Sequence, residues 1–288
     1  MRFKEDRLTT FSASDQVQRS VHIWSPQQPR AVILAIHGGM AHAGDYVTPA
    51  LYFRDKGIAT VSYDLCGHGQ LARVDIPSFE VFLRDTEIFL VWTRAQFPGK
   101  PIFLMGHSMG ALIAAHLELG RFANSPDIQG IILSSPYFVN AVRVPKLLIA
   151  LSSVLAKLLP KAKVPMESLT ESLTHDPAIL ARHRADEKDN IRASEASFRF
   201  AAALLSAQAA LVGKLSAWNH PVFAVLAGDD KLADAQASRA MLQTIPHPLL
   251  ELHWCQENFH ENFNELNRET IFRDIEVWLN KVLASGLR

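Results

Sequence analysis

A serine, a histidine and a carboxylate set far apart in this chain have the types needed to cleave an acyl bond. A serine hydroxyl attacks a carbonyl only when a base takes its proton, and that base must be oriented by a third group. The serine with the clearest setting is Ser108, in Gly106-His107-Ser108-Met109-Gly110. The apolar run Pro101 to Met105 precedes it and a helix-like stretch, Ala111 to Leu119, follows, so the order is strand, tight turn, helix. Such a turn holds its serine in a strained backbone with the hydroxyl exposed. The flanking glycines lack the Cβ that so sharp a turn would crowd. The Met109 N–H falls in the first helical turn, where backbone donors have no intrahelical partner and can bind a developing oxyanion.

Three histidines lie beyond Gly228-Asp229-Asp230 and compete for the role of base. His247 sits between two prolines in a turn. His253 falls inside an apolar strand, where a structural role is expected. His260 follows that strand on a polar loop, and it is the expected base. Asp229 and Asp230 are rival candidates for the orienting acid, with Asp234 behind them, and spacing alone does not separate the first two. Gly39, in His37-Gly38-Gly39-Met40, is the expected second oxyanion donor, because a backbone N–H must approach the substrate unobstructed. His42, His68 and His107 crowd the same region without the spacing of a metal set, so no metal is expected. His42 and His68 read as packing residues, and His107 as a residue that touches substrate.

These groups need a scaffold that brings distant loops together. Ala31 to Ile36, Ile58 to Tyr63, Pro101 to Met105, Ile128 to Leu133, Pro221 to Ala227 and Leu249 to Trp254 are apolar runs of strand length. A hairpin of Leu8 to Phe11 and Val17 to Trp24 brings the expected strand count to eight. Helices are expected between the runs, over Tyr46 to Lys56, Phe79 to Phe97 and about Asn262 to Leu283. This alternation predicts an α/β fold with a mostly parallel sheet. Active loops in such sheets lie at the carboxyl ends of the strands. His37, Asp64, Ser108, Asp230 and His260 all fall there.

Residues 137–218 break the alternation and read as helical, with no clear strand and an alanine-rich helix over Ile191 to Val212. They are expected to form a cap inserted between two core segments, 1–136 and 219–288. Within the cap, Val144 to Leu159 is apolar around most of a helical circumference at 100° per residue. Leu148, Leu151 and Leu155 share one side of it. Two readings stand: a helix buried in the cap, or an arc that lines an acyl site and meets a micelle or membrane.

The chain has 288 residues, 48% of them hydrophobic and 20% charged, with zero net charge. Nothing in that balance draws nucleic acid. The first residues carry no secretory pattern, no apolar run has spanning length, and the two cysteines are too few for a disulfide scaffold. A cytoplasmic location with free thiols is therefore expected.

Several segments resemble the monoglyceride lipase and lysophospholipase branch of the α/β-hydrolases, which includes serine aminopeptidase-like members. His37 to Tyr46 is similar to the oxyanion-loop segment. Asp64-Leu65-Cys66-Gly67-His68-Gly69 resembles the Asp-x-Arg-Gly-His-Gly turn, and Gly106 to Gly110 the nucleophile motif. Asp230 to Asp234 lines up with the acid loop, with Asp230 at the acid, and Phe259 to Leu266 resembles the base loop. Ala41 and Asp45 stand where many members have Glu and Arg, charged positions that help bind the glycerol end in monoglyceride lipases. Cys66 replaces an Arg and Ala111 a Gly. The resemblance implies an α/β-hydrolase fold with a helical cap, no cofactor, and hydrolysis of a small lipid ester by Ser108, Asp230 and His260. Two alternatives remain. One is an amidase or aminopeptidase whose cap carboxylates Glu167, Glu171, Asp176, Asp186 and Glu187 receive an amine. The other is a non-catalytic binding module.

Overall fold

The computed structural model describes residues 4–71, 74–141, 158–159, 161–165 and 170–285. The strands are β1 (Arg7–Ser12), β2 (Gln18–Trp24), β3 (Ala31–Ile36), β4 (Ile58–Tyr63), β5 (Ile102–His107), β6 (Ile128–Ser134), β7 (Lys163–Pro165), β8 (Glu195–Ser197), β9 (Val222–Ala227) and β10 (Leu250–Cys255). The helices are α1 (Val47–Asp55), α2 (Glu80–Gln96), α3 (Met109–Glu118), α4 (Pro177–Lys188), α5 (Phe198–Leu211), α6 (Ala235–Leu242) and α7 (Arg268–Ser285). Eight strands form one sheet in the order β1-β2-β4-β3-β5-β6-β9-β10. The opening hairpin is antiparallel and joins β4 antiparallel; all other pairings are parallel.

The apolar runs are continuous because helices cover both faces of the sheet. Side chains alternate between faces along a strand. Val32, Leu34 and Ile36 of β3 therefore join the core beneath α2 and α3, while Ala31, Ile33 and Ala35 join the one beneath α1 and α7. β5 and β9 divide in the same way. At the edge, β10 is only half-buried. There His253 stacks on Phe223 with ring centroids 4.4 Å apart, the structural role expected of it.

Three expectations about the elements are corrected. The inserted stretch contains two strands, β7 and β8, paired antiparallel. Three residues each are too few to show a period of two. The alanine-rich helix begins at Phe198 rather than Ile191, because the Ser197 side chain accepts from the Phe200 N–H at 3.0 Å and caps it. The last helix begins at Arg268, after a short helical turn at Asn262–Asn264. Asn262 bonds across to Ser135 and Asn264 bonds back to Glu261 instead of continuing the helix.

Candidate active site

The turn between β5 and α3 is as tight as its glycines imply. A Cβ on Gly106 would lie 2.5 Å from the Gly110 carbonyl oxygen, and one on Gly110 would collide with the Ile36 carbonyl of β3. Between them Ser108 has φ 54° and ψ −117°, a conformation L-residues rarely adopt. Its side chain makes no capping bond to α3. Its N–H donates to the Ser134 carbonyl at 2.9 Å, which ties the turn to the end of β6.

The oxyanion loop lies against this turn. A Cβ on Gly38 would be 3.3 Å from Ser108 Cβ, and one on Gly39 would be 3.8 Å from Met109 Sδ. The fold thus brings together the two residues expected to donate N–H groups. His37 fixes the loop: its Nδ1 donates to the Gly38 carbonyl at 2.8 Å, and its Nε2 accepts from the Leu65 N–H at 3.0 Å. That pattern fits a neutral ring, and burial holds its pKa well below the ordinary value. His68 packs at 5.2 Å from His37 and is likewise pushed down, to about 4, by burial.

Among the three candidate carboxylates, Asp230 meets the His260 ring: its Oδ2 lies 2.7 Å from Nδ1. The other oxygen accepts from the N–H groups of Leu232 at 2.8 Å and Ala233 at 3.0 Å. Burial works to raise the Asp230 pKa, but the His260 ring and these donors hold it below the usual carboxylate value. Asp229 is half-exposed and pairs with Lys231. Asp234 caps α6 by accepting from the Ala237 N–H at 2.9 Å. His107 packs on His260 with ring centroids 4.8 Å apart, and its pKa is pushed down to about 4 by burial and by His260.

Several residues around this centre were not singled out in the sequence. Ser135 is fully buried and donates to the His260 carbonyl at 2.6 Å. Glu261, next to His260, accepts from His183 of α4 at 2.8 Å and from Arg192 at 3.2 Å. Arg192 also reaches Asp45 at 2.5 Å. The departure at Asp45 thus has a partner, a guanidinium supplied by the inserted stretch. Beside this network is a small cavity of about 30 Å³, lined in part by His37, Ala41, Asp45, Tyr46, His107 and Phe263. No local pattern marks these residues, because every bond in the set joins distant segments.

His42, Asp45 and Asp186 come close enough to suggest a cation site. The donor set does not fit one. His42 Nδ1 accepts from the Gly44 N–H at 3.1 Å, so its proton sits on Nε2, which faces both carboxylates. Arg192 supplies the positive charge at Asp45. Leu148, Leu151 and Leu155 lie outside the described residues. Leu158 and Leu159, at the end of the same apolar segment, are 72% and 55% exposed. Among the described residues, no helix is long and apolar enough to cross a membrane.

Comparison with known proteins places the chain in a family. Residues 27–267 match the family model described as serine aminopeptidase, S33. The chain is 31% identical over 254 residues to the phospholipase YtpA of Bacillus subtilis, covering 87% of this chain and 95% of that protein. It is 26% identical over 275 residues to the monoacylglycerol lipase of Mycolicibacterium smegmatis, covering 94% and 95%. Its fold superposes on a soluble variant of monoglyceride lipase from Saccharomyces cerevisiae with a TM-score of 0.82 at 23% identity, covering 96% and 95%. The chain belongs to the serine aminopeptidase S33 family and is a hydrolase of the monoglyceride lipase branch of the α/β-hydrolases.

Proposed function

We propose that this protein is a serine esterase acting on single-chain lipid esters, monoacylglycerols or lysophospholipids. The observation that carries the reading is the buried Asp230–His260 pair, at the carboxyl ends of β9 and β10, beside the strained turn that presents Ser108. In this reading Ser108 Oγ attacks the ester carbonyl and His260 Nε2 takes its proton. Asp230 holds the Nδ1–H tautomer and stabilises the imidazolium. The Gly39 and Met109 N–H groups receive the oxyanion, each worth roughly 2.7–4 kcal/mol in the transition state. His260 then protonates the leaving alcohol, and water hydrolyses the acyl-enzyme. The mechanism uses no cofactor. The lipid class is supported by relatives named phospholipase and monoacylglycerol lipase. Exposed Leu158 and Leu159 suit contact of residues 137–218, as a cap, with a lipid aggregate.

The cap carboxylates argue against an aminopeptidase. Glu171 pairs with Arg184, and Asp176 caps α4 and pairs with Arg268. Asp186 faces His42, and Glu187 accepts from Thr170. Each already has a partner, and Glu167 lies outside the described residues. The deciding experiment runs monoacylglycerols, lysophospholipids, aminoacyl amides and p-nitrophenyl esters of graded length beside Ser108→Ala, with fluorophosphonate labelling of Ser108. Turnover of fatty esters that vanishes with Ser108→Ala is expected. Preferential turnover of the amides overturns the ester reading, and failure of Ser108 to label overturns the hydrolytic one.

A further inference from the structure

Two adjacent serines at the end of β6 touch both halves of the candidate triad. Ser134 accepts the Ser108 N–H on its carbonyl at 2.9 Å, and its Oγ lies 3.2 Å from His107 Nδ1. Ser135 donates from Oγ to the carbonyl of His260 at 2.6 Å. The Asn262 Nδ2 donates to the same Oγ at 2.9 Å, so the serine's own proton is left for the His260 carbonyl. The Ser135 N–H donates to the Val225 carbonyl at 2.9 Å, which anchors the turn to β9. Both serines are fully buried.

The backbone is unusual at this point. Ser135 has φ 41°, in the left-handed region that favours glycine. That twist lets consecutive residues serve two loops, one carrying the nucleophile and the next carrying the base. Asp230 bonds the His260 ring at Nδ1, and His107 packs on its face. The ring still moves with the backbone that carries it. The His260 carbonyl accepts from the Asn262 N–H of its own loop at 3.2 Å, and the shorter bond from Ser135 ties it to the end of β6.

We infer that Ser135 is a positioning residue for His260, and that the Ser134-Ser135 turn sets the distance between the nucleophile and base loops. The inference rests on the proposed role of His260 as base. Glycine at position 135 separates positioning from stability, because it removes the hydroxyl while relieving the backbone. A purely structural serine would leave Ser135→Gly as active as the parent.

The test compares Ser135→Gly, Ser135→Ala and Asn262→Ala with the parent, with His260→Ala run in parallel. Melting temperature, kcat, KM and the rate of fluorophosphonate labelling are measured on a soluble ester. Ser135→Gly should keep the parent's melting temperature and KM while kcat and labelling fall about 10- to 100-fold, the scale of a small misplacement of a reacting group. Ser135→Ala should lose as much kcat and also melt lower. Asn262→Ala should lose less, and the share of its effect carried by the Ser135 bond should disappear in the Ser135→Gly background, the remainder coming from its bonds with Asn258 and the Val225 carbonyl. Parent kcat in Ser135→Gly with an inactive His260→Ala overturns the positioning role alone. An active His260→Ala overturns the base assignment and the inference with it.

Discussion

Arg192 lies 3.2 Å from Glu261, the residue that follows His260 in the chain. Its Nη1 is 2.5 Å from Asp45, a few residues beyond Gly39. One buried cation from the inserted stretch therefore joins the segment that follows Gly39 to the segment that follows His260. Burial works to raise the pKa of each carboxyl. At Asp45 it is outweighed by Arg192 and His42, and at Glu261 by His183 and then Arg192.

Replacing Arg192 with Met should leave two carboxylates buried without their guanidinium. Removing one partner of a buried ion pair costs about 3–5 kcal/mol. Urea unfolding should show a loss of that order, and activity should fall with it, since both segments lose an anchor. A variant as stable as the parent would mean that the network is solvated and contributes little.

Acid should destabilise the fold well before the carboxylates titrate. His68 is held near 4 by burial, against 6.5 for a free ring, and its Nε2 has no partner. His37 is depressed in the same direction. The unfolded chain therefore binds protons that the folded chain refuses. This contribution is fully present above about pH 6.5 and is lost as pH falls toward the folded values. A depression of the size seen at His68 is worth about 3 kcal/mol. The urea midpoint should drop from pH about 7 to about 4.5, and His68→Gln, which cannot ionise, should flatten that slope. An unchanged slope would assign the acid loss to other groups.

His220 has the opposite sign. Its Nδ1 lies 2.6 Å from Glu118 and its Nε2 3.1 Å from the Ser125 carbonyl, so both nitrogens meet acceptors. Although burial works to lower it, the Glu118 bond and charge raise its pKa above 6.5. The stabilisation is complete below that value and is lost as pH rises through the raised one. The stability gap between the parent and His220→Gln should shrink from pH about 6 to about 9. A gap that widens with pH would reverse the assignment.

Asp230→Asn should reduce kcat by about 10⁴, because an amide there favours the wrong imidazole tautomer. Asp229→Asn removes only an exposed pair with Lys231 and should change activity no more than about twofold. Steady-state kinetics on one soluble ester suffices. The reverse ranking would shift the acid by one residue.

The scaffold was legible because its cause is local. A strand covered on both faces, such as β3, needs an unbroken apolar run, and the turn at Ser108 needs glycine on both sides. The choice between Asp229 and Asp230 was not local. It depends on which carboxylate faces a ring thirty residues away, and resemblance rather than spacing selected Asp230. Ser135, Arg192 and Glu261 were invisible for the same reason. A serine before a proline, or an arginine in a polar stretch, has no pattern of its own until the fold brings its partner to it. The strands β7 and β8 were missed because they are held by each other rather than by a periodic face.

The bonds from residues 173–176 to the base loop have a consequence for recombination. The Leu173 carbonyl accepts from the Glu261 N–H at 2.8 Å, and the Thr174 hydroxyl donates to the Asn264 carbonyl at 2.8 Å. His175 reaches Glu265 at 2.9 Å. An exchange of the whole insertion between related hydrolases would cut all of these contacts while leaving the sheet intact. The chimaera would carry a correct catalytic sequence on a loop with no outer wall. Crossovers placed before Leu173 keep the loop and its wall from one parent, so the tolerated junctions in this chain lie inside the insertion rather than at its ends.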